Sequence, residues 1–148
     1  MKSLLLADSA VQRNSSLLDL INNLKQKGYN FYLYHRIDLK SLSEGAWAGE
    51  KAFFGPSVHN VFGLWCLYLL LPLFWIFYFF KLLLLKNRRS LDAVICVNDN
   101  ERLILSPLCR FLGLGLLWIE LPESDYLKRS FWLKFCLRFF GKKVKIVV

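Results

Sequence analysis

No glycine-rich phosphate loop occurs in this sequence. Neither GxGxxG nor the GxxxxGK signature is present, and the loop after the first expected strand, "ADSAVQRNSS", has no glycine. Phosphate cradling there is therefore unsupported. GxSxG and HExxH are missing too, and the two histidines, His35 and His59, are too far apart to suggest a metal set. These gaps argue against a self-contained hydrolase or metalloenzyme. None of the four cysteines, Cys66, Cys96, Cys109 and Cys136, has CxxC or CxxxxC spacing, and each lies in an apolar stretch. They read as small buried hydrophobes of a reducing compartment. The first apolar run, Leu4 to Ala7, is too short for a signal peptide.

Charge is also missing in places. Asn60 to Phe80 carries none, and no acid follows Asp125. Residues 127–148 hold seven bases: Lys128, Arg129, Lys134, Arg138, Lys142, Lys143 and Lys145. Lys81, Lys86, Arg88 and Arg89 close the long apolar run. The net charge is +9, yet residues 1–60 are near balance. Basic charge beside exposed apolar surface points to an anionic membrane surface and away from nucleic acid.

The 148 residues suit one domain. At 55% hydrophobic the chain exceeds the roughly 45–50% of ordinary soluble domains. "SLLLADS" reads as a buried strand. In the next segment Leu17, Leu20, Ile21 and Leu24 fall at i, i+3, i+4, i+7, a helical face. Ser16 and Asp19 resemble a capping box, and Gly28 is placed to end the helix. "NFYLYHRI" is an aromatic-rich strand. Strand, helix, strand predicts a parallel βαβ unit. Residues 38–60 read as loop. Past the apolar run come a strand at Ala93–Val97, a helix bent near Pro107, a strand at Leu116–Glu120, a helix ending at Gly141, and the strand "KVKIVV". The alternation predicts a doubly wound α/β parallel sheet with an inserted hydrophobic segment at about 53–86.

"VFGLWCLYLLLPLFWIFYFFKLLLL" (Val61–Leu85) is long enough to cross a bilayer. A single crossing would separate the first two strands from the last three, and two strands with one helix cannot fold alone. One common sheet requires the segment to leave and return on the same side. Pro72 lies near the middle of Val58–Leu85 and could break it into two limbs of about 13 residues, each reaching about 20 Å, which favours a re-entrant or interfacial insertion over a true span or a helix buried in the core or a partner. Trp65, Pro72 and Trp75 would then touch lipid, with Lys81, Lys86, Arg88 and Arg89 at anionic headgroups. "FWLKFCLRFF" (Phe131–Phe140) reads either as a sheet-packing helix with a solvated basic edge or as a second membrane contact.

Ligands of open α/β sheets bind at the carboxyl ends of the strands. Those ends carry Asp8 and Ser9, His35 and Arg36, Asn98 and Asp99, and Glu120 with Glu123. Asp99 and Asn100 are also natural helix caps. Glu120 follows "LLWI" directly and precedes a proline-bounded turn.

"DAVICVNDNERLILSPLCRFLGLGLLWIELPESDY" together with "KVKIVV" resembles the N-terminal half of a GT-B fold glycosyltransferase of the retaining family 4 type. The resemblance covers most of the chain outside residues 38–89. It implies a Rossmann-like fold, with Asp8, Ser9, Asn98, Asp99, Glu120 and Glu123 facing an acceptor in an interdomain cleft. It also implies that this chain holds no cofactor. The nucleotide-sugar donor would sit in a C-terminal catalytic domain or partner subunit that the chain lacks. Family members acting on lipid-linked acceptors dock monotopically, which places this chain at the cytoplasmic face of the cell membrane. The alternative is a non-catalytic anchoring subunit that recruits a soluble catalytic partner, as in the split eukaryotic N-acetylglucosamine transferase pair. A third reading is an unrelated single-span protein.

Overall fold

The computed structural model describes residues 3–8, 15–35, 48–55, 61–119, 131–140 and 145–147. The elements are β1 (Ser3–Asp8), α1 (Ser15–Gln26), β2 (Asn30–His35), β3 (Ala48–Lys51), α2 (Val61–Arg89), β4 (Leu91–Cys96), α3 (Asp99–Leu112), β5 (Gly115–Ile119), α4 (Phe131–Phe140) and β6 (Lys145–Val147). The architecture is α/β. Among the described residues the strands form one six-stranded parallel sheet in the order β3-β2-β1-β4-β5-β6.

The two halves of the chain meet at the centre of that sheet. β1 pairs with β4, so that Leu5 lies opposite Val94 and Leu6 opposite Ile95. All four side chains are buried, as central parallel strands require. A common core for the segments before and after the apolar run was the expectation, and the pairing shows it.

Two expectations need correction. Residues 38–60 have the composition of a loop, but Ala48–Lys51 forms the edge strand β3, with Leu33 opposite Gly49. Its sequence, "AGEK", has neither the alternation nor the β-branched residues that mark strands. Pairing to β2 decides its state. The second correction concerns Pro72. α2 runs unbroken through it for 29 residues, about 43 Å, and does not divide into two limbs. Likewise α3 is one helix across Pro107.

Why α2 stays whole is visible in its burial. Leu64, Leu67, Leu71, Tyr78 and Leu82 are buried, a 3–4 spaced stripe lying on both sides of Pro72. Pro72 itself is exposed, away from that stripe. Packing on either side holds the axis where the local hydrogen bond is lost. Gly55, at φ +83°, brings residues 52–55 onto the helix. A Cβ there would stand 2.7 Å from Leu67 Cδ1.

α3 lies deepest, with ten buried residues, and packs against both α2 and α4. Glu101 accepts the Asn98 backbone N–H at 2.9 Å at its start. Gly113, in the left-handed region, closes its end, and Leu114 N–H donates to Cys109 O at 2.8 Å. α2 and α4 are joined by a hydrogen bond between Tyr68 Oη and Cys136 Sγ. All four cysteines are free; Cys96 and Cys109 are buried.

Candidate functional site

The outer face of α2 carries a long run of exposed apolar side chains. Turning away from the buried stripe are Phe62, Trp65, Leu69, Leu73, Ile76, Phe77, Phe80 and Leu84, all exposed. At 100° per residue Phe62, Leu69, Leu73, Ile76, Phe80 and Leu84 fall within about 80° of one another. No charge interrupts them. Scattered apolar residues are normal on a surface, but a contiguous stripe two dozen residues long is not. By length and composition α2 is a helix that suffices to cross a membrane, and only 22% of its most apolar window is buried in the protein.

Phe111, on α3, extends the apolar surface: it is 80% exposed and its ring meets Phe79 edge-on at 5.8 Å. α4 presents Phe131, Phe135 and Phe139, one per turn, while Leu133 and Leu137 point inward and are buried. Of the two readings of this helix, sheet packing describes the inner side, and the outer side carries exposed aromatics beside Arg138. Sequence reasoning singled out neither Phe111 nor Phe53. The i, i+4, i+8 spacing of Phe131, Phe135 and Phe139 was the available signal for α4.

The residues expected at lipid divide by position. Trp65 and Pro72 lie on the outward side. Trp75 does not; it is half-buried and packs against the core. Lys81 is half-buried, its ammonium over the Phe77 ring at 5.0 Å. Lys86, Arg88 and Arg89 are exposed at the C-terminal end of α2. Lys86 Nζ donates to Leu112 O at 2.5 Å, capping α3. The Arg89 guanidinium lies 5.6 Å from the Tyr32 ring centroid.

The carboxyl edge of the sheet collects polar residues by register. Asp8 pairs with His35, and His35 with Lys51, in one row across β1, β2 and β3. Asn98 and Asp99 follow β4. Both have structural partners. Asn98 Nδ2 donates to Glu101 Oε1 at 3.1 Å, and Asp99 is buried in an ion pair with Arg102 at 3.0 Å. Arg102 is fully buried. It also donates to Val97 O at 2.8 Å and Ile119 O at 2.7 Å, and lies over the Trp118 ring at 5.4 Å. One guanidinium thus ties the ends of β4 and β5 together. Nothing in the sequence marked it, since an arginine inside an amphipathic helix normally faces water. Ser9, Glu120 and Glu123 lie outside the described residues.

An open apolar groove of about 460 Å³ runs beside α2, lined by Ala52, Phe53, Leu70, Leu73, Phe74, Phe77 and Tyr78. The Phe54 and Tyr78 rings stack at 5.0 Å beneath it, and Tyr78 Oη donates to Phe53 O at 2.9 Å.

Burial pushes the Cys109 thiol up to about 12 and Cys96 well above its ordinary value, so neither is a reactive thiolate. Comparison of the chain with models of known protein families, with curated proteins and with solved structures finds no match.

Proposed function

We propose that this chain is a monotopic membrane domain with a Rossmann-like, doubly wound sheet, serving as the acceptor-side half of a GT-B type glycosyltransferase at the cytoplasmic face of the cell membrane. One observation carries the membrane reading. α2 shows an uncharged outer stripe from Val61 to Leu84, while the strands at its two ends, β3 and β4, belong to a single sheet. A crossing helix would divide its flanking strands between two compartments. Here the helix lies along the protein, and an apolar face without a protein partner is supplied with one by the interface of a bilayer. Lys86, Arg88 and Arg89, just past the stripe, then meet anionic headgroups.

The strand order supports the doubly wound reading. Strand order 3-2-1-4-5-6 is that of dinucleotide-binding folds, with its switch point between β1 and β4. Right-handed crossovers in both directions put α1 on the face opposite α2, α3 and α4. The crevice at that switch point opens at Asp8 and Asn98, where the acceptor headgroup is held. The donor nucleotide-sugar comes from a second domain or subunit.

A specific observation favours the anchoring alternative. Asn98 and Asp99 are engaged within the fold, by Glu101 and Arg102. A domain whose crevice groups are so occupied serves equally as a scaffold for a catalytic partner. The test pairs topology with binding. In vesicles, cysteines introduced by Gln26→Cys and Asp92→Cys on a cysteine-free background must both react with an impermeant maleimide from outside. Reaction at one only defeats the monotopic reading. Retention of a polyprenyl-phosphate sugar acceptor that is lost on Asp8→Ala supports the transferase half; no retention leaves the anchor.

A further inference from the structure

We propose that the groove between residues 52–53 and α2 seats one hydrocarbon chain of an anionic membrane lipid, with the lipid phosphate at Lys81. The proposal rests on the membrane reading and adds a discrete site to it. Among the described residues the groove's walls are apolar, and the one side-chain hydroxyl, that of Tyr78, donates to the Phe53 carbonyl. A polar ligand finds no side-chain donor there.

Its length and its position beside the outer stripe suit a hydrocarbon chain. From Leu70 to Phe77 the helix advances about 11 Å. Over that length the groove holds about 460 Å³, room for a stretch of one acyl or prenyl chain. The groove is also continuous with the outer stripe, because Leu73 and Phe77 belong to both its rim and that face, and Leu70 is exposed beside them. A chain already in the bilayer thus passes into it without crossing water. Charge is supplied at one end. Phe77 forms the rim, and the Lys81 ammonium stands 5.0 Å from its ring centroid, one turn farther on. A cation at the mouth of an apolar slot complements a phosphate headed by a hydrocarbon tail.

The experiment uses the full chain in vesicles of phosphatidylcholine and phosphatidylglycerol containing a trace of phosphatidylglycerol with a diazirine in one acyl chain. After irradiation, cross-linked residues are mapped by mass spectrometry, and flotation of the same sample reports total binding. The expected result is enrichment at Phe53, Phe74 and Phe77 over Phe62, Ile76 and Leu84. Leu73→Trp, which fills the slot from an exposed position, abolishes that enrichment while flotation persists. Lys81→Gln lowers it for phosphatidylglycerol and not for a phosphatidylcholine probe. Even labelling along the whole stripe with flotation intact overturns the site and spares the membrane reading. Absence of flotation overturns both. Groove residues that instead cross-link between two copies in lipid-free solution assign the slot to a second chain and also overturn the proposal.

Discussion

Exchanging Leu73 and Phe80 for glutamine separates membrane seating from folding. These side chains stand on the outer stripe with 64% and 59% of their surface exposed. Fully burying such a side chain contributes about 1.5–3 kcal/mol, so roughly three-fifths of that, about 1–2 kcal/mol each, is left for lipid to take up. Leu73→Gln with Phe80→Gln therefore removes about 2–4 kcal/mol of membrane affinity, a loss of about 30- to 1000-fold in partitioning. Folding should hardly respond, because substitutions of exposed side chains usually stay within about 0.5 kcal/mol. The inner stripe gives the opposite pattern. Leu71→Ala empties a buried position and costs about 2–5 kcal/mol of folding stability, with the lipid-facing surface untouched. Vesicle sedimentation over a lipid titration measures the first quantity, and urea denaturation in mild detergent the second. If the glutamine pair unfolds the protein, the face is a core and the reasoning fails. Partitioning unchanged by the pair refutes it equally.

Arg102→Met removes the guanidinium that pairs with the buried Asp99 carboxylate and donates to two strand-end carbonyls. Denaturation midpoints should show a loss of about 3–5 kcal/mol, and Arg102→Lys should restore part of it. Pro72→Ala should stabilise, by up to about 3 kcal/mol, because α2 already continues unbroken through this exposed position; a lowered melting temperature would show that the proline shapes the helix. The Cys109 thiol has a folded value near 12 against 9.0 for the free side chain, and the neutral form is the one the fold holds. Its stabilisation is complete below pH 9 and declines as pH rises from 9 towards 12, since the unfolded chain ionises first. Urea midpoints at pH 8 and pH 10.5 should therefore differ less in Cys109→Ala than in the unmodified chain.

Much of the fold was legible because alternation of short apolar strands with amphipathic helices is a local signal. β1, α1, β2, β4, α3, β5, α4 and β6 all fall where the pattern put them, within a residue or two at the described ends. β3 was not legible: "AGEK" is strand only because β2 offers it an edge. Nor was the fate of Asn98, Asp99 and Arg102. Asp99 is the i,i+3 neighbour of Arg102 on one helix, but burial of the arginine also needs the carbonyls at the ends of two strands, Val97 and Ile119, to converge on it, and which strands lie side by side is not a local signal.

The sequence by itself determined that a chargeless run of 21 residues, Asn60–Phe80, sits inside a βαβ succession, and that bases gather at its end. It could not say which side of that run faces the protein. A helix apolar on every side has no amphipathic stripe to orient it. Tertiary structure decided this through the pairing of β1 with β4, which returns the chain to one sheet. That return lays Leu64, Leu67, Leu71, Tyr78 and Leu82 on the core and leaves the opposite side bare.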